Sequence, residues 1–116
     1  MPPEHGVSSA LMNPGDVQVR RSKIEAIQRA VAHLFGMPVE ELRQNSTQRA
    51  VTMPRQIAMY LAKQMTDASL PEIGRHFGGK HHTTVMHSIA KVEEERRTDS
   101  AVDLVIYKLL KTLDKG

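Results

Sequence analysis

Gly78 and Gly79 stand side by side between two stretches of helical periodicity, and this pair limits what the chain can fold into more than any other feature. Upstream, Ser69 and Glu72 have the spacing of a capping box, with Leu70 and Pro71 between them, so a helix is expected to begin there. Ile73 and Phe77 form its apolar face, and the glycines end it after about two turns. Downstream, a longer helix is expected from near His82 and Thr83. It carries Val85, Met86, Ile89 and Val92 inward and closes in the charged run 93–97. A short helix, a glycine turn and a longer helix together match the description of a helix-turn-helix.

The same period runs through the rest of the 116 residues. Ser22 and Glu25 have capping-box spacing, Ile24, Ile27, Val31 and Leu34 recur at helical intervals, and Gly36 with Pro38 stops that helix near Phe35. A short helical turn fits 39–43, and 44–52 reads as a polar loop. Thr52 with Pro54 opens a long middle helix with Met53, Ile57, Tyr60, Leu61 and Met65 apolar. Ser100 and Asp103 begin a last helix with Val102, Val105, Ile106, Leu109, Leu110 and Leu113 as its stripe. Met53, Met59, Met65 and Met86 are expected as core or near-core filler. No strand-like run and no internal repeat stands beside these segments. The pattern predicts an all-α fold of five to six helices over residues 20–116, preceded by a flexible Pro- and Gly-containing leader, residues 1–19. That leader begins with its own Met, which favours a stand-alone module over a fragment of a larger protein.

Composition removes several function classes. With no Cys there is no disulfide, no thiolate zinc site and no cysteine nucleophile. No apolar run approaches the roughly 20 residues of a membrane span, and the N-terminus lacks the pattern of a secretory signal, so a cytoplasmic chain is expected. His76, His81, His82 and His87 lie close in sequence but form no i,i+4 pair; neither metal nor cofactor is expected. There is no phosphate-binding loop of the G-x-x-x-x-G-K-[ST] type and no nucleophile elbow, so the chain does not read as an enzyme. A formal charge of +3 suits a polyanionic partner only if it is concentrated on one face.

The string Lys80-His81-His82-Thr83-Thr84 is the feature that most suits such a partner. It gathers a cation, two imidazoles and two hydroxyls at a helix N-terminus, where unpaired N–H groups and the helix dipole favour phosphate. In a helix-turn-helix these residues are the ones that reach base edges in the major groove.

Ile73-Gly74-x-x-Phe77-Gly78-Gly79-Lys80-x-His82-Thr83-Thr84-Val85 resembles the signature of the C-terminal DNA-binding domain of the DnaA family of bacterial replication initiators. The resemblance extends through Pro54-Arg55-Gln56-Ile57-Ala58-Met59 and Ser69-Leu70-Pro71-Glu72, and covers about residues 20–113. It implies a Trp-repressor-like helical domain that binds, as a monomer, the short asymmetric DnaA box in double-stranded DNA. The implied role is initiation or regulation of chromosomal replication, with full-length initiator as a candidate partner. The alternative is a stand-alone transcriptional regulator with altered operators. By resemblance, His81, His82 and Thr83 fall at base-reading positions, and Leu70 and Pro71 where apolar contacts to bases are made. Lys80, Thr84, His87, Lys91, Arg55, Gln56, Lys63, Thr66 and Ser69 align with positions facing phosphates. Two residues depart from the family pattern. His81 replaces an aspartate that can accept from cytosine N4; histidine can donate, which favours an acceptor such as guanine N7. Thr47 stands where a minor-groove arginine is usual, leaving Arg49 as the loop's nearby cation and candidate minor-groove residue.

Overall fold

The computed structural model describes residues 14–115. These form five α-helices and one short 3-10 helix, with no strand among the described residues: α1 (Pro14–Phe35), the 3-10 helix (Val39–Arg43), α2 (Arg49–Met65), α3 (Leu70–His76), α4 (His82–Thr98) and α5 (Ser100–Lys115). The all-α expectation holds.

Helix α2 is the hub. Every residue from Ile57 to Ala62 is buried, so this helix is covered on all sides, by α1, the 3-10 helix, α3 and α4. Facing it are Ile24, Ile27 and Val31 of α1, Leu42, Ile73 and Phe77 around α3, and Val85 and Val92 of α4. Val102, Ile106 and Leu109 of α5 complete the same core. Full burial of each large side chain is worth about 1.5–3 kcal/mol. Leu34 and Met86, expected inside, are 46% and 45% exposed. Phe35 and Met37 cover the core near the end of α1 instead, and α4 buries only the narrow stripe Val85, Ser88 and Val92, which leaves Met86 outside.

Three helix starts differ from the sequence expectation. Helix α1 already includes Pro14, so Ser22 is an exposed interior residue and its capping box is unused. Tertiary contact accounts for the added turns: the buried Arg20 places Nε 3.0 Å from both carboxylate oxygens of Glu72 on α3. Of the expected leader, residues 1–13 lie outside the described residues, and residues 14–19 are helical. Helix α2 starts at Arg49, one turn before the Thr52-x-Pro54 signal, because the amides of Val51 and Thr52 already bond the Gln48 carbonyl at 2.9 and 2.8 Å. The cap of α5 is Asp99 rather than Ser100, its Oδ1 accepting from the Ala101 amide at 3.0 Å.

The glycine turn behaves as its sequence predicts, and tertiary contacts tighten it. Ser69 caps α3 by accepting from the Glu72 amide at 3.2 Å, and α3 runs for only seven residues. The Gly74 carbonyl then accepts from Phe77, Gly79 and Lys80 amides at 3.1, 3.1 and 2.9 Å. A Cβ on Gly74 would lie 2.1 Å from the Lys80 carbonyl oxygen, so only glycine lets the chain fold back this closely. Gly78 combines a φ of 81° with the Arg43 carbonyl oxygen at 2.0 Å from where a Cβ would stand. Below the turn, the fully buried Gln28 donates to the His76 carbonyl and accepts from Arg43 Nη2, both at 2.8 Å. One amide thereby satisfies the end of α3 and ties it to α1 and the 3-10 helix.

Gly74→Ala should destabilise the domain by about 1–3 kcal/mol, because the backbone oxygen it meets has no room to move aside; urea unfolding measures this. Burial, aided by the Arg21 and Arg75 charges and opposed by those of Glu72 and Glu25, holds the His76 imidazole below its usual value of 6.5. Between the folded and unfolded values the unfolded chain binds more protons, so stability falls as pH drops through about 6.5 and the loss levels off below the folded value. His76→Gln should therefore show a shallower loss between roughly pH 7 and 5 in thermal melts.

Candidate nucleic-acid interface

The first turn of α4 presents the expected string at the surface. His81 is the N-cap, its Nδ1 accepting the Thr83 amide at 3.2 Å, and the same nitrogen lies 2.8 Å from Thr83 Oγ1. The His81 and His82 rings lie 4.4 Å apart between centroids, tilted by 32°. His81, His82 and Thr84 are exposed and Thr83 is half-buried. Farther along, Thr84, His87 and Lys91 follow at spacings of three and four residues, which places them on one exposed face of α4.

Lys80 has a different environment from the one expected of a free phosphate ligand. Its Nζ donates to the carbonyls of Phe77 (3.0 Å) and Gln44 (3.2 Å) and to Asn45 Oδ1 (3.0 Å). All three ammonium donors are thus engaged within the protein. Arg55 reaches the same loop from α2, donating to the Gln44 carbonyl at 2.9 Å and the Ser46 carbonyl at 3.1 Å. Burial lowers the affinity of both cations for their protons, and for Lys80 the neighbouring Arg55 charge adds to the effect. Lys80 and Arg55 therefore clamp loop 44–48 through its oxygens, and neither forms an ion pair with a carboxylate among the described residues.

Arg49 is not a loop residue. It is the first residue of α2, and its Nη2 pairs with Glu95 of α4 at 3.4 Å while the side chain stays 60% exposed. An exposed pair of this kind is worth about 0–1 kcal/mol, so it holds the arginine only weakly. Thr47 lies exposed in the loop before it.

A second group of expected residues gathers where α2 meets α3. Lys63 Nζ donates to the Ala68 carbonyl at 3.4 Å, and Thr66 Oγ1 donates to the Ala62 carbonyl at 2.6 Å while accepting from the Ala68 amide at 3.1 Å. Ser69 follows as the α3 cap, Pro71 is exposed, and Leu70 is half-buried against the core. Gln56 is half-buried on α2. Among the described residues no three His, Asp or Glu side chains converge as metal ligands would, and no helix is long and apolar enough to cross a membrane.

Gln28, Arg43 and Asn45, which hold the turn and the loop in place, were not among the residues singled out from sequence. Gln28 had a legible signal: it interrupts the apolar stripe Ile24, Ile27, Val31, and a polar residue on a core face has to find partners. Asn45 and Arg43 carried none, since their roles depend on a loop folding against a distant turn.

Comparison with known proteins agrees with this geometry. The family described as bacterial dnaA protein helix-turn-helix matches residues 24–92. The chain is 42% identical over 106 residues to the chromosomal replication initiator protein DnaA of Lactobacillus acidophilus, covering 90% of this chain and 23% of that protein. It is 48% identical over 103 residues to the protein of the same name from Rhizobium meliloti, covering 89% of this chain and 21% of the relative. For that of Bartonella quintana the identity is 53% over 75 residues, 65% of this chain and 15% of the relative. The chain spans about a fifth of the length of such relatives. Matches covering 90% of the chain also take in part of the first 19 residues, so the similarity reaches into the segment expected to be a leader. With the fold, the glycine turn and these matches in agreement, the chain belongs to the family of bacterial DnaA helix-turn-helix domains.

Proposed function

We propose that this chain is a sequence-specific reader of double-stranded DNA of the DnaA-box type, acting in the initiation or regulation of chromosomal replication. The observation that carries the proposal is the first turn of α4, where His81, His82 and Thr84 lie exposed beside half-buried Thr83, directly after the hydrogen-bonded glycine turn. In this reading α4 enters the major groove, His81, His82 and Thr83 read bases, and Leu70 and Pro71 add apolar contacts from α3. Thr84, His87 and Lys91 face one phosphate strand. Gln56, Lys63, Thr66 and Ser69 face the other. Lys80 and Arg55 position loop 44–48 and lend it positive charge, and Arg49 leaves Glu95 to approach the minor groove. The module is a binding protein rather than an enzyme, works as a monomer in the bacterial cytoplasm, and shares sites with full-length initiator.

Fluorescence anisotropy with a consensus DnaA-box duplex and a scrambled one, across a salt series, tests this. At least about a hundredfold preference for the box at near-physiological salt is expected. Equal, steeply salt-dependent binding to both would reject the box as its site. His82→Ala should cost about 1–3 kcal/mol on the box and little on scrambled DNA; equal losses on both would make His82 a positioning residue.

Lys80→Ala should weaken binding to all sequences, lower the salt slope by about one, and speed amide exchange in loop 44–48. Faster exchange with an unchanged slope would assign Lys80 to positioning alone.

A further inference from the structure

We infer that His81 reads DNA as a hydrogen-bond donor and discriminates against cytosine at the base it faces, an inference that rests on the DNA-binding reading above. The cap of α4 fixes which ring nitrogen carries the hydrogen. Nδ1 of His81 accepts the Thr83 backbone N–H at 3.2 Å, and a ring nitrogen that accepts from an amide carries no hydrogen of its own. The Thr83 hydroxyl lies 2.8 Å from the same nitrogen, a contact compatible with an unprotonated Nδ1. The ring hydrogen is therefore on Nε2. The His82 ring packs alongside at 4.4 Å, and His81 is exposed, so the Nε2–H is held at the surface.

An imidazole capped in this way offers one donor and no acceptor. In the major groove guanine presents the acceptors N7 and O6, adenine N7 beside its amino group, and thymine O4 beside its methyl group, whereas cytosine presents only its N4 amino group. A lone N–H donor gains a partner on guanine, adenine or thymine. It finds no acceptor on cytosine and meets a competing donor there. The selectivity comes from the cap: the backbone amide of Thr83 decides which ring nitrogen is left to face the DNA.

His81→Asp separates the two roles of this residue. Aspartate is a preferred N-cap, so the start of α4 is retained, while the outward donor becomes an acceptor. Duplexes selected from a random-sequence library by the wild type and by His81→Asp should differ at one position, cytosine being depleted for the wild type and enriched for the variant, with the remaining positions unchanged. Guanine-to-cytosine exchange there should weaken the wild type by about three- to tenfold, the scale of one hydrogen bond. His81→Ser, which caps without a ring, should lose the preference at that position only. Selection of the same base by the wild type and by variants that retain native helical circular dichroism would overturn the role of His81 and leave the DNA reader standing. Absence of any enriched sequence for the wild type would overturn both.

Discussion

The close approach of backbone to backbone at Gly74 and Gly78 is the contact on which the rest of the interface depends. Three amides converge on the Gly74 carbonyl, and the Lys80 carbonyl lies where a side chain on Gly74 would have to go. Because α3 is short and the turn is tight, α4 begins within a few residues of the core, and His81 to Thr84 have little freedom in direction. Gln28 extends the constraint inward, joining the end of α3 to α1 and to the 3-10 helix through one buried amide. The surface that faces a ligand is thus set by groups that never reach it.

The distribution of charge follows a similar logic. Arg20, Arg96 and Arg97 are paired with carboxylates, and those pairs sit away from the turn, between α1 and α3 or along α4 and α5. Lys80 and Arg55 instead take backbone carbonyls and an amide oxygen as partners. Carbonyl dipoles orient a cation without cancelling its charge, so loop 44–48 is ordered while the positive potential beside α4 persists.

Much of the candidate site is legible in the sequence. The glycine pair, the Ser69 cap and the apolar positions Ile73, Phe77, Val85 and Val92 defined the two-helix motif, because each depends on neighbours within a few residues. Errors concentrated where local signals compete with distant contacts. Ser22 and Thr52 both look like helix starts, yet α1 and α2 each begin earlier, α1 with Arg20 held by Glu72 and α2 on the Gln48 carbonyl. Met86 and Leu34 keep the right period but lie on the wrong side of a stripe whose width is decided by packing.

The sequence by itself determined the helical class, the helix-turn-helix and its place in a family, since periodicity, caps and glycines act over a turn or two of chain. Only the tertiary structure decided what individual polar side chains do. Lys80 became a clamp, Arg49 the partner of Glu95, Gln28 a buried bridge, and His81 the cap of α4. Those outcomes depend on which donors and acceptors folding brings within about 3 Å of each other, and three of the four join residues far apart in the chain.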